Sequence, residues 1–544
     1  MNRYFPLLLS MALLSTLHVA GQTSDPGRIS GSFQTDVQYL FEDSVIGANA
    51  VDERLLSNSY LQLTYQRGNV AAGLRYEAYL NPILGFDQRY EGQGLAYRFA
   101  EYTGEILDIT VGNFYDQFGN GIIFRSYQEW GLGIDNSIDG IRTRIRPLPG
   151  IEIKGLIGKQ RKFWEKTESI LRGADIDISV NDLDDRLADR KTRIFLGASV
   201  MSKYQEDDDI VLQLPENVSA FSGRFRLNHG PFSIDGEYAY KINDPFQQNK
   251  FVYNPGTAIY LNTSYATKGL AFLVSAKRID NFDFRSERNV TLQELSLSFL
   301  PPISKLHTYR LPTLYPYATQ LNGEVGIQAT LLYTIPKKTV IGGKYGTKIQ
   351  LNYSRIHALD TTFIEPNFRY ESSFLGDPGN LYFQDINIEI NRKWTKNLRT
   401  ILTYINLQYN KDIIEFQSVN AGFGIVNTHI GVWETQYKIS RKVSLRTELQ
   451  HMYTQQDLGS WALALAEVSF SPHWYITLFD EWNYSNPDPN LRVHYYNGQV
   501  AYAWESNRIS VGYSRQRRGL LCVGGICREV PAANGFNLSI YSSF

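Results

Sequence analysis

The chain has 544 residues, of which 54 are Lys or Arg and 55 are Asp or Glu, so its formal net charge is −1. This near balance argues against a general nucleic-acid binder, which needs a basic surface. The mean hydropathy is slightly negative, and no stretch beyond the N-terminus approaches about 18 consecutive apolar residues, which excludes a helical membrane protein. A membrane β-barrel is not excluded, because half of each barrel strand faces water.

The N-terminus predicts a secretory signal peptide over residues 1–21. Arg3 supplies a positive charge, a mostly apolar stretch follows it, and Val19-Ala20-Gly21 provides small residues before a cleavage site. We therefore expect an exported protein in which residues 22–544 form a single domain. Because the first predicted strand begins near residue 32, we expect no N-terminal plug domain.

Alternation of apolar and polar residues recurs along the rest of the chain and predicts β-strands. Ile349, Leu351 and Tyr353, for example, alternate with Gln350 and Asn352. Most of these segments have roughly the 9–11 residues that a tilted strand needs to cross a bilayer. The predicted strands number twenty-six, with twenty-four as the alternative because 172–182 and 304–312 alternate least clearly. They lie near residues 32–41, 58–67, 69–79, 93–103, 105–113, 139–147, 150–158, 172–182, 192–203, 219–228, 232–240, 257–266, 270–279, 290–300, 304–312, 321–334, 346–357, 382–392, 397–409, 427–439, 443–453, 460–470, 474–484, 493–505, 508–516 and 536–544.

The connections between these strands alternate between short and long. Short turns lie at 66–69, 228–231, 439–442 and 471–473, and long loops lie at 42–57, 241–256, 356–381 and 410–426. Soluble sandwiches and propellers show no such strict alternation, whereas outer-membrane barrels have short periplasmic turns and long extracellular loops. The predicted fold is therefore all-β, a transmembrane antiparallel β-barrel in the outer membrane of a Gram-negative bacterium.

The last predicted strand carries apolar side chains on one face, namely Phe536, Leu538, Ile540 and Phe544. Alternation of this kind marks a strand with two different faces. We interpret it as the closing strand of the barrel, with Phe544 in an aromatic girdle. Outer-membrane barrels as a class end in this way, so we expect the barrel-assembly machinery to bind this strand during biogenesis.

The third long loop, residues 114–138, is rich in glycine and aromatic residues. An apolar loop must bury its side chains, and the barrel lumen is one place where it can do so. If the isoleucines of the following strand face lipid, its arginines face the lumen, and the same rule applies to nearby strands. Opposed charges across a pore favour small dipolar or charged solutes, although charges that merely fill a wide lumen explain the pattern equally well. The pore-lining candidates are Arg75, Arg98, Arg142, Arg144, Asp116 and Glu129.

Cys522 and Cys527 are expected to form a disulfide, because two cysteines of an exported protein lie in an oxidising compartment. Four arginines beside them are candidates for binding lipid phosphates or an acidic ligand, with a merely solvated loop as the alternative. These are Arg515, Arg517, Arg518 and Arg528.

Signals for catalysis or metal binding are poor. The histidines are scattered along the chain, and the adjacent Asp480 and Glu481 point to opposite faces of one strand, so they cannot share an active site. The acidic run 207–209 lacks the spacing of a calcium loop. We therefore predict no enzyme, no metal site and no cofactor.

Two stretches carry a resemblance to a known family: FYDQFGNGIIFRSYQEWGLGIDNSIDG (114–140) and CVGGICREVPAANGF (522–536). They resemble an uncharacterised family of Gram-negative outer-membrane β-barrels, a porin-like domain of unknown function, over the whole mature chain. The resemblance implies the fold and the location, and it implies no substrate and no active residues.

Two functional hypotheses follow. The first is a porin or channel for small hydrophilic solutes that is narrowed by an inward-folded loop 114–138. The alternative is a structural or interaction barrel, a subunit of a larger envelope assembly or secretion complex. The expected partners are outer-membrane lipid, the assembly machinery, and either a small solute or an envelope protein, with no nucleic acid.

Overall fold

The computed structural model describes residues 26–290, 294–364, 369–374, 378–416 and 421–544, and these form one closed antiparallel barrel of 24 strands. The alternating segments form strands because one set of side chains faces the lipid and the other faces the lumen. The predicted signal peptide, residues 1–21, lies outside the described residues.

The barrel strands in chain order are β1 (Arg28–Phe41), β2 (Leu55–Arg67), β3 (Val70–Leu80), β4 (Gly92–Thr103), β5 (Leu107–Phe114), β6 (Ile138–Leu148), β7 (Ile151–Lys162), β8 (Ile170–Ser179), β9 (Thr192–Tyr204), β10 (Asn217–His229), β11 (Phe232–Lys241), β12 (Gly256–Thr267), β13 (Leu270–Asp280), β14 (Gly323–Ile335), β15 (Thr347–His357), β16 (Leu381–Lys393), β17 (Leu398–Asn410), β18 (Ile425–Lys438), β19 (Val443–Tyr453), β20 (Trp461–Phe470), β21 (Trp474–Trp482), β22 (His494–Trp504), β23 (Asn507–Gln516) and β24 (Ala533–Ser543).

The connections between the barrel strands contain short strands and helices. The short strands are Gln128–Glu129, Ile134–Asp135, Glu165–Lys166, Thr361–Ile364, Arg369–Ser372, Gly519–Val523 and Ile526–Val530, and the α-helices are Asp185–Ala188 and Lys411–Ile414. Within the described part of the chain, no helix has the length and apolar character needed to span a membrane.

The barrel closes where β24 pairs with both β23 and β1. In the β1 register, Phe536 lies opposite Tyr39 and Leu538 lies opposite Val37. Phe544 continues the ladder beyond β24, because its N–H donates to the Gly31 carbonyl (3.0 Å) and its own carbonyl accepts from the Gly31 N–H (2.9 Å). The last strand is therefore the closing strand, as predicted, and its recognition by the assembly machinery remains a prediction.

The connections alternate in length around the barrel. Most of those at one rim have two to four residues, whereas the other rim carries long loops such as 115–137, 281–322 and 358–380. The start of β1 and the end of β24 both lie at the short-turn rim, because the strand number is even. The short-turn rim is periplasmic and the long-loop rim is extracellular, as in outer-membrane barrels generally.

Aromatic side chains on the outer face mark both membrane interfaces. They form two girdles around an aliphatic band, which is the outer surface expected of a barrel in a bilayer. The periplasmic girdle contains Tyr65, Tyr102, Phe232, Tyr265, Tyr333, Trp394, Tyr437, Phe470, Trp474, Trp504 and Phe544, and the extracellular girdle contains Tyr39, Tyr76, Tyr238, Tyr240, Tyr453, Trp482, Tyr496 and Phe536.

Two predicted strands, 290–300 and 304–312, are wrong, and this accounts for the difference between twenty-six and twenty-four. Residues 294–300 and 304–312 belong to the connection 281–322 between β13 and β14, and they form no ladder strand. The prolines at 301, 302 and 312 fit this result, because proline cannot donate a hydrogen bond to a central ladder. The weakly alternating segment 172–182 does correspond to a strand, β8.

Gly535 lies at the seam, where β24 approaches β1 very closely. A Cβ atom at this position would lie 2.1 Å from the Tyr39 carbonyl oxygen and 3.0 Å from the Leu40 Cα. We expect Gly535→Val to destabilise the barrel by about 1–3 kcal/mol, because backbone atoms at the seam must move apart. The measurement is the temperature at which the folded, fast-migrating form is lost on a gel.

Gly223→Val on β10 is the matched control, because no atom lies within 4 Å of its added Cβ. Equal melting of the two variants would contradict tight closure at the seam.

Candidate functional site

The third loop, residues 115–137, packs against the inner face of the barrel wall. Phe118, Ile123 and Phe124 are fully buried. They form an apolar cluster with inward-facing wall residues, among them Leu171 on β8 and Met201 on β9. The loop therefore buries its apolar side chains against the wall.

An ion-pair anchor, defined here as Arg75, Glu77, Asp135 and Arg161, ties this loop to the wall. Asp135 lies on the loop, Arg75 and Glu77 lie on β3, and Arg161 lies on β7. Arg161 donates to Asp135 Oδ2 at 2.6 Å and to Glu77 Oε2 at 2.7 Å, while Arg75 donates to Glu77 Oε1 at 2.6 Å and also pairs with Asp135. All four side chains are buried.

Two guanidinium groups balance two carboxylates in the anchor, so the buried site carries no net charge. Burial raises the pKa of Asp135, but Arg75 and Arg161 lower it by more, and the net result is a pKa below the ordinary value. The Tyr115 hydroxyl donates to Asp135 Oδ1 at 2.8 Å, and burial raises the pKa of Tyr115 well above its ordinary value. Asp135 is therefore held ionised and Tyr115 is held neutral.

The opposite side of the third loop is held by a different part of the wall. The backbone N–H and the side-chain amide of Asn120 both donate to Glu237 Oε2 on β11, each at 2.9 Å. Lys154 on β7 donates to the Gln117 carbonyl at 3.2 Å. The loop thus reaches from β3 to β11.

The seventh long connection, residues 281–322, packs on the third loop with its first half. The Arg125 N–H donates to the Leu297 carbonyl at 2.8 Å, and the Phe299 N–H donates to the Gly121 carbonyl at 2.9 Å. Phe282, Leu297 and their neighbours belong to the same apolar cluster as the third loop. We call residues 281–322 the seventh loop.

The second half of the seventh loop contacts the remaining wall. Three of its side chains and one backbone N–H reach a row of inward-facing acceptors on β16, β18, β19 and β21. These contacts are His307 to Asp385 (2.8 Å), Tyr309 to Glu434 (3.1 Å), the Leu311 N–H to Gln450 (2.9 Å) and Arg310 to Glu481 (2.9 Å). Leu311 and Tyr315 lie in a second apolar cluster with residues of these strands. The seventh loop therefore extends from β13 across to β21.

The final loop, residues 517–532, lies over the seventh loop. Its two short strands form a hairpin closed by the Cys522–Cys527 disulfide, which confirms the predicted pairing. The Thr319 N–H donates to the Gly525 carbonyl at the hairpin tip (3.1 Å). The tip is thus joined to the seventh loop.

The arginines near this hairpin have partners inside the protein. They pair as Arg515 with Asp43, Arg517 with Glu481, Arg518 with Glu529, and Arg528 with the Gly131 carbonyl. Their predicted role in binding lipid phosphates or an acidic ligand has no support from this arrangement.

A cavity of about 900 Å³ lies at the periplasmic end of the lumen. Inward-facing residues of β6 to β11 line it with charges of both signs, and Gln117, Gly119 and Asn120 of the third loop form its inner end. The charged side chains that line it include Arg146, Glu152, Lys154, Asp177, Arg224, Arg226 and Asp235. We call this cavity the vestibule.

The six pore-lining candidates lie in different environments in the structure. Arg75 is buried in the anchor. Arg142 faces inward and bonds to Glu101 Oε2 (2.9 Å) and the Tyr115 carbonyl (3.2 Å), and Arg144 faces inward beside Glu152 (3.5 Å). Asp116 lies beside Arg142, with 3.7 Å between charged atoms, so the two pair directly rather than across a gap.

Glu129 lies apart from these arginines. Its carboxylate accepts the backbone N–H of Gly131 at 3.1 Å. It therefore stabilises a turn of the third loop.

Arg98 does not face the lumen, and this corrects the prediction. It lies opposite Leu74 in the β3–β4 register and 3.6 Å from Asp139, and both partners belong to the outer face. A bulge causes the difference, because the register shifts between Arg75 and Tyr76 and inverts the alternation along β4.

Sequence reasoning missed Glu77, Asp135 and Arg161 of the anchor, and it missed the whole seventh loop. Alternation places a charge on the inner face but does not say which distant charge it meets. Across the described residues, no group of three His, Cys, Asp or Glu side chains is placed to hold a metal ion.

Removing one carboxylate from the anchor leaves an uncompensated buried charge. We expect Asp135→Asn to weaken the attachment of the third loop by about 3–5 kcal/mol, because two guanidinium groups then share Glu77 alone. The measurement is the rate of limited proteolysis within residues 115–137 of the folded barrel.

Glu129→Gln is the matched control, because it makes the same chemical change in the same loop outside the anchor. Equal cleavage rates in the two variants would contradict the role assigned to the anchor.

The anchor also predicts a pH dependence. A carboxyl group whose pKa is lowered by folding stabilises the folded state above its unfolded pKa, and the stabilisation is lost as pH falls through the folded pKa. Asp135 should therefore hold the loop at neutral pH and release it only below about pH 4, near the unfolded pKa of Asp. Proteolysis of the loop across pH 3–7 with an acid-tolerant protease tests this, and release near pH 6 would contradict it.

The chain is similar to several solved structures. The siderophore receptor PirA from Pseudomonas aeruginosa is 10% identical, with a TM-score of 0.40, over 97% of this chain and 82% of that chain. OpdK from the same organism is 11% identical, with a TM-score of 0.33, over 78% of this chain and 98% of that chain. OccAB3 from Acinetobacter baumannii is 10% identical, with a TM-score of 0.35, over 95% of this chain and 99% of that chain.

No curated protein matches the chain in sequence. A family model described as "Family of unknown function (DUF6029)" matches residues 1–544. The protein therefore belongs to the DUF6029 family.

Proposed function

We propose that this protein is an outer-membrane channel for small hydrophilic solutes, closed toward the cell surface by its own third and seventh loops. The proposal includes export by the signal peptide 1–21 to the outer membrane of a Gram-negative bacterium. It assigns no catalytic step.

The observation that carries the proposal is the vestibule. It is a cavity open toward the periplasmic rim, lined by both charged and apolar residues, and the tip of the third loop forms its inner end. Arg224 pairs directly with Asp177 at 2.7 Å in this lining, and Arg226 and Asp235 add further charges of both signs. A charged lining of this kind is compatible with the passage of small hydrophilic solutes. A cavity of this kind suits a channel whose passage is interrupted by a loop.

The way the third loop is attached suits a gate. Contacts to wall side chains, such as Asp135 with Arg161 and Asn120 with Glu237, attach it to the wall, whereas the wall itself is held by continuous backbone ladders. Side-chain contacts break without opening the barrel, so the loop is able to move while the wall stays closed. The inward-facing Arg142 and Arg144 would then border the passage.

A structural or interaction barrel is the second candidate, and the two apolar clusters favour it. Phe118, Phe124 and Leu297 in one cluster and Leu311 and Tyr409 in the other are fully buried. Apolar cores of this kind would keep the lumen permanently filled. A filled barrel can still act as a structural subunit of an envelope assembly, because such a subunit needs a stable wall and no open passage. Conductance separates the two functions.

Replacing residues 117–124 by a Gly-Ser linker of equal length tests the channel. It removes Phe118 and the apolar residues 122–124, so the linker has nothing to keep it in the lumen. We expect the wild type to conduct weakly in a planar bilayer and the variant to conduct about tenfold more, in steady single-channel steps.

The same linker in place of residues 207–214, in the exposed loop between β9 and β10, is the matched control and should conduct as the wild type does. If the wild type and both linker variants are folded, as confirmed by gel migration, and none of them conducts, the result would contradict the channel and support the interaction barrel.

A further inference from the structure

Two connections at the periplasmic rim are longer than the rest, residues 180–191 and 336–346. The second has the sequence PKKTVIGGKYG, in which two apolar residues lie between lysines. It joins β14 to β15, and we call it the basic finger.

The basic finger is a tight turn with an apolar tip. The Lys338 N–H donates to the Gly343 carbonyl at 2.7 Å, and the Gly343 N–H donates to the Thr339 carbonyl at 2.9 Å. The chain passes so close to itself that a Cβ atom on Gly342 would lie 2.0 Å from the Pro336 carbonyl oxygen. Val340 and Ile341 protrude from this turn, 97% and 62% exposed.

The finger lies on the membrane side of the rim. Thr347 is on the outer face, because it pairs with Ile335 and Arg392 on that face. It is nevertheless only 2% exposed, and its hydroxyl donates to the Ile341 carbonyl at 2.9 Å. The finger therefore covers the outer face of the wall rather than the mouth of the lumen.

The rim around the finger is strongly basic, although the chain as a whole is nearly neutral. Residues 336–348, 391–399 and 437–443 contain no Asp or Glu. Their basic residues are Lys337, Lys338, Lys344, Lys348, Arg392, Lys393, Lys396, Arg399, Lys438, Arg441 and Lys442. Within the described ranges, none of these side chains forms an ion pair with a carboxylate.

The other long connection at this rim has a different charge pattern. Residues 180–191 contain four aspartates beside their basic residues, and Asp182 pairs with Arg193 at 3.3 Å. The two long connections of this rim thus differ in charge, and length alone does not account for the basic character of the finger.

We propose that the basic finger binds anionic phospholipid of the inner leaflet of the outer membrane. Val340 and Ile341 enter the acyl region, and Lys337, Lys338 and Lys344 contact the lipid phosphates. Clustered lysines beside a bilayer attract anionic head groups, and an apolar tip between them gains from insertion. This inference does not rest on the proposed channel.

Trp394 supports the placement at the interface. Its ring is 50% exposed on the outer face, and the Arg392 guanidinium lies 4.1 Å from its centroid. Tryptophan and arginine at a barrel rim are anchors at the level of lipid head groups. An acidic protein would complement the charges equally well, but it would leave the exposed tip beside the bilayer unexplained.

Lipid retention tests the proposal. Purified barrels in detergent are mixed with equal amounts of dioleoyl-phosphatidylglycerol and dioleoyl-phosphatidylethanolamine, and bound lipids are counted by native mass spectrometry. We expect the wild type to retain more phosphatidylglycerol than phosphatidylethanolamine. In the variant Lys337→Gln/Lys338→Gln/Lys344→Gln the ratio of the two bound lipids should fall about tenfold.

Arg186→Gln/Arg190→Gln/Lys191→Gln removes the same charge from the other connection and should retain the preference. An equal loss in both variants would overturn the site, because it would show a general effect of charge.

The apolar tip has its own variant. Val340→Ser/Ile341→Ser should reduce retention of both lipids about two- to fourfold, because it removes the inserted side chains and keeps the lysines. Leu183→Ser in the other connection is the control. Polyglutamate serves as a probe for an acidic protein partner. The lipid site would be overturned in favour of such a partner if both finger variants retained phosphatidylglycerol as the wild type does and the lysine variant lost polyglutamate binding.

Discussion

A sheet that crosses a bilayer has to satisfy every backbone N–H and C=O group internally, because the hydrocarbon core offers no partner. In this protein the requirement is met where β24 pairs with β1 and Phe544 continues the ladder to Gly31. The other features of the wall follow from that closure. Side chains alternate between lipid and lumen, and the start of β1 and the end of β24 lie at the periplasmic rim.

Closure of 24 strands also encloses a wide lumen, and the polar inner face of the wall has to find partners there. The third and seventh loops supply them. Asp135 compensates Arg75 and Arg161, and His307 and Arg310 of the seventh loop meet Asp385 and Glu481 on the opposite wall. A buried charge without its partner is strongly unfavourable, so loops and wall depend on each other.

Much of the wall is predictable from the sequence, because lipid on one side and polar groups on the other impose a period of two. The same period misleads within the seventh loop. Lys305, His307 and Tyr309 alternate because each reaches a carboxylate on the wall, although the segment pairs with no strand. An extended segment inside the lumen and a strand in the membrane show the same alternation with a period of two. In this segment only the nearby prolines indicate that it is not a strand.

The candidate site is less predictable than the wall. Arg75 and Arg142 lie on the inner face, whereas one bulge moves Arg98 to the outside. The partners in the anchor come from β3, β7 and a loop, and no local pattern specifies such distant contacts. The sequence shows that the third loop must be buried, whereas its attachment depends on geometry.

The central claim is that residues 115–137, 281–290 and 294–322 form an ordered plug joined to the wall. Hydrogen–deuterium exchange of the unmodified protein in lipid nanodiscs tests it most directly. We expect the hydrogen-bonded amides of Asn120, Arg125 and Phe299 to exchange slowly, while those of the exposed Asp208 and Ile210 exchange quickly. Fast exchange throughout both loops would contradict the account, because it would show a lumen that its own loops do not fill.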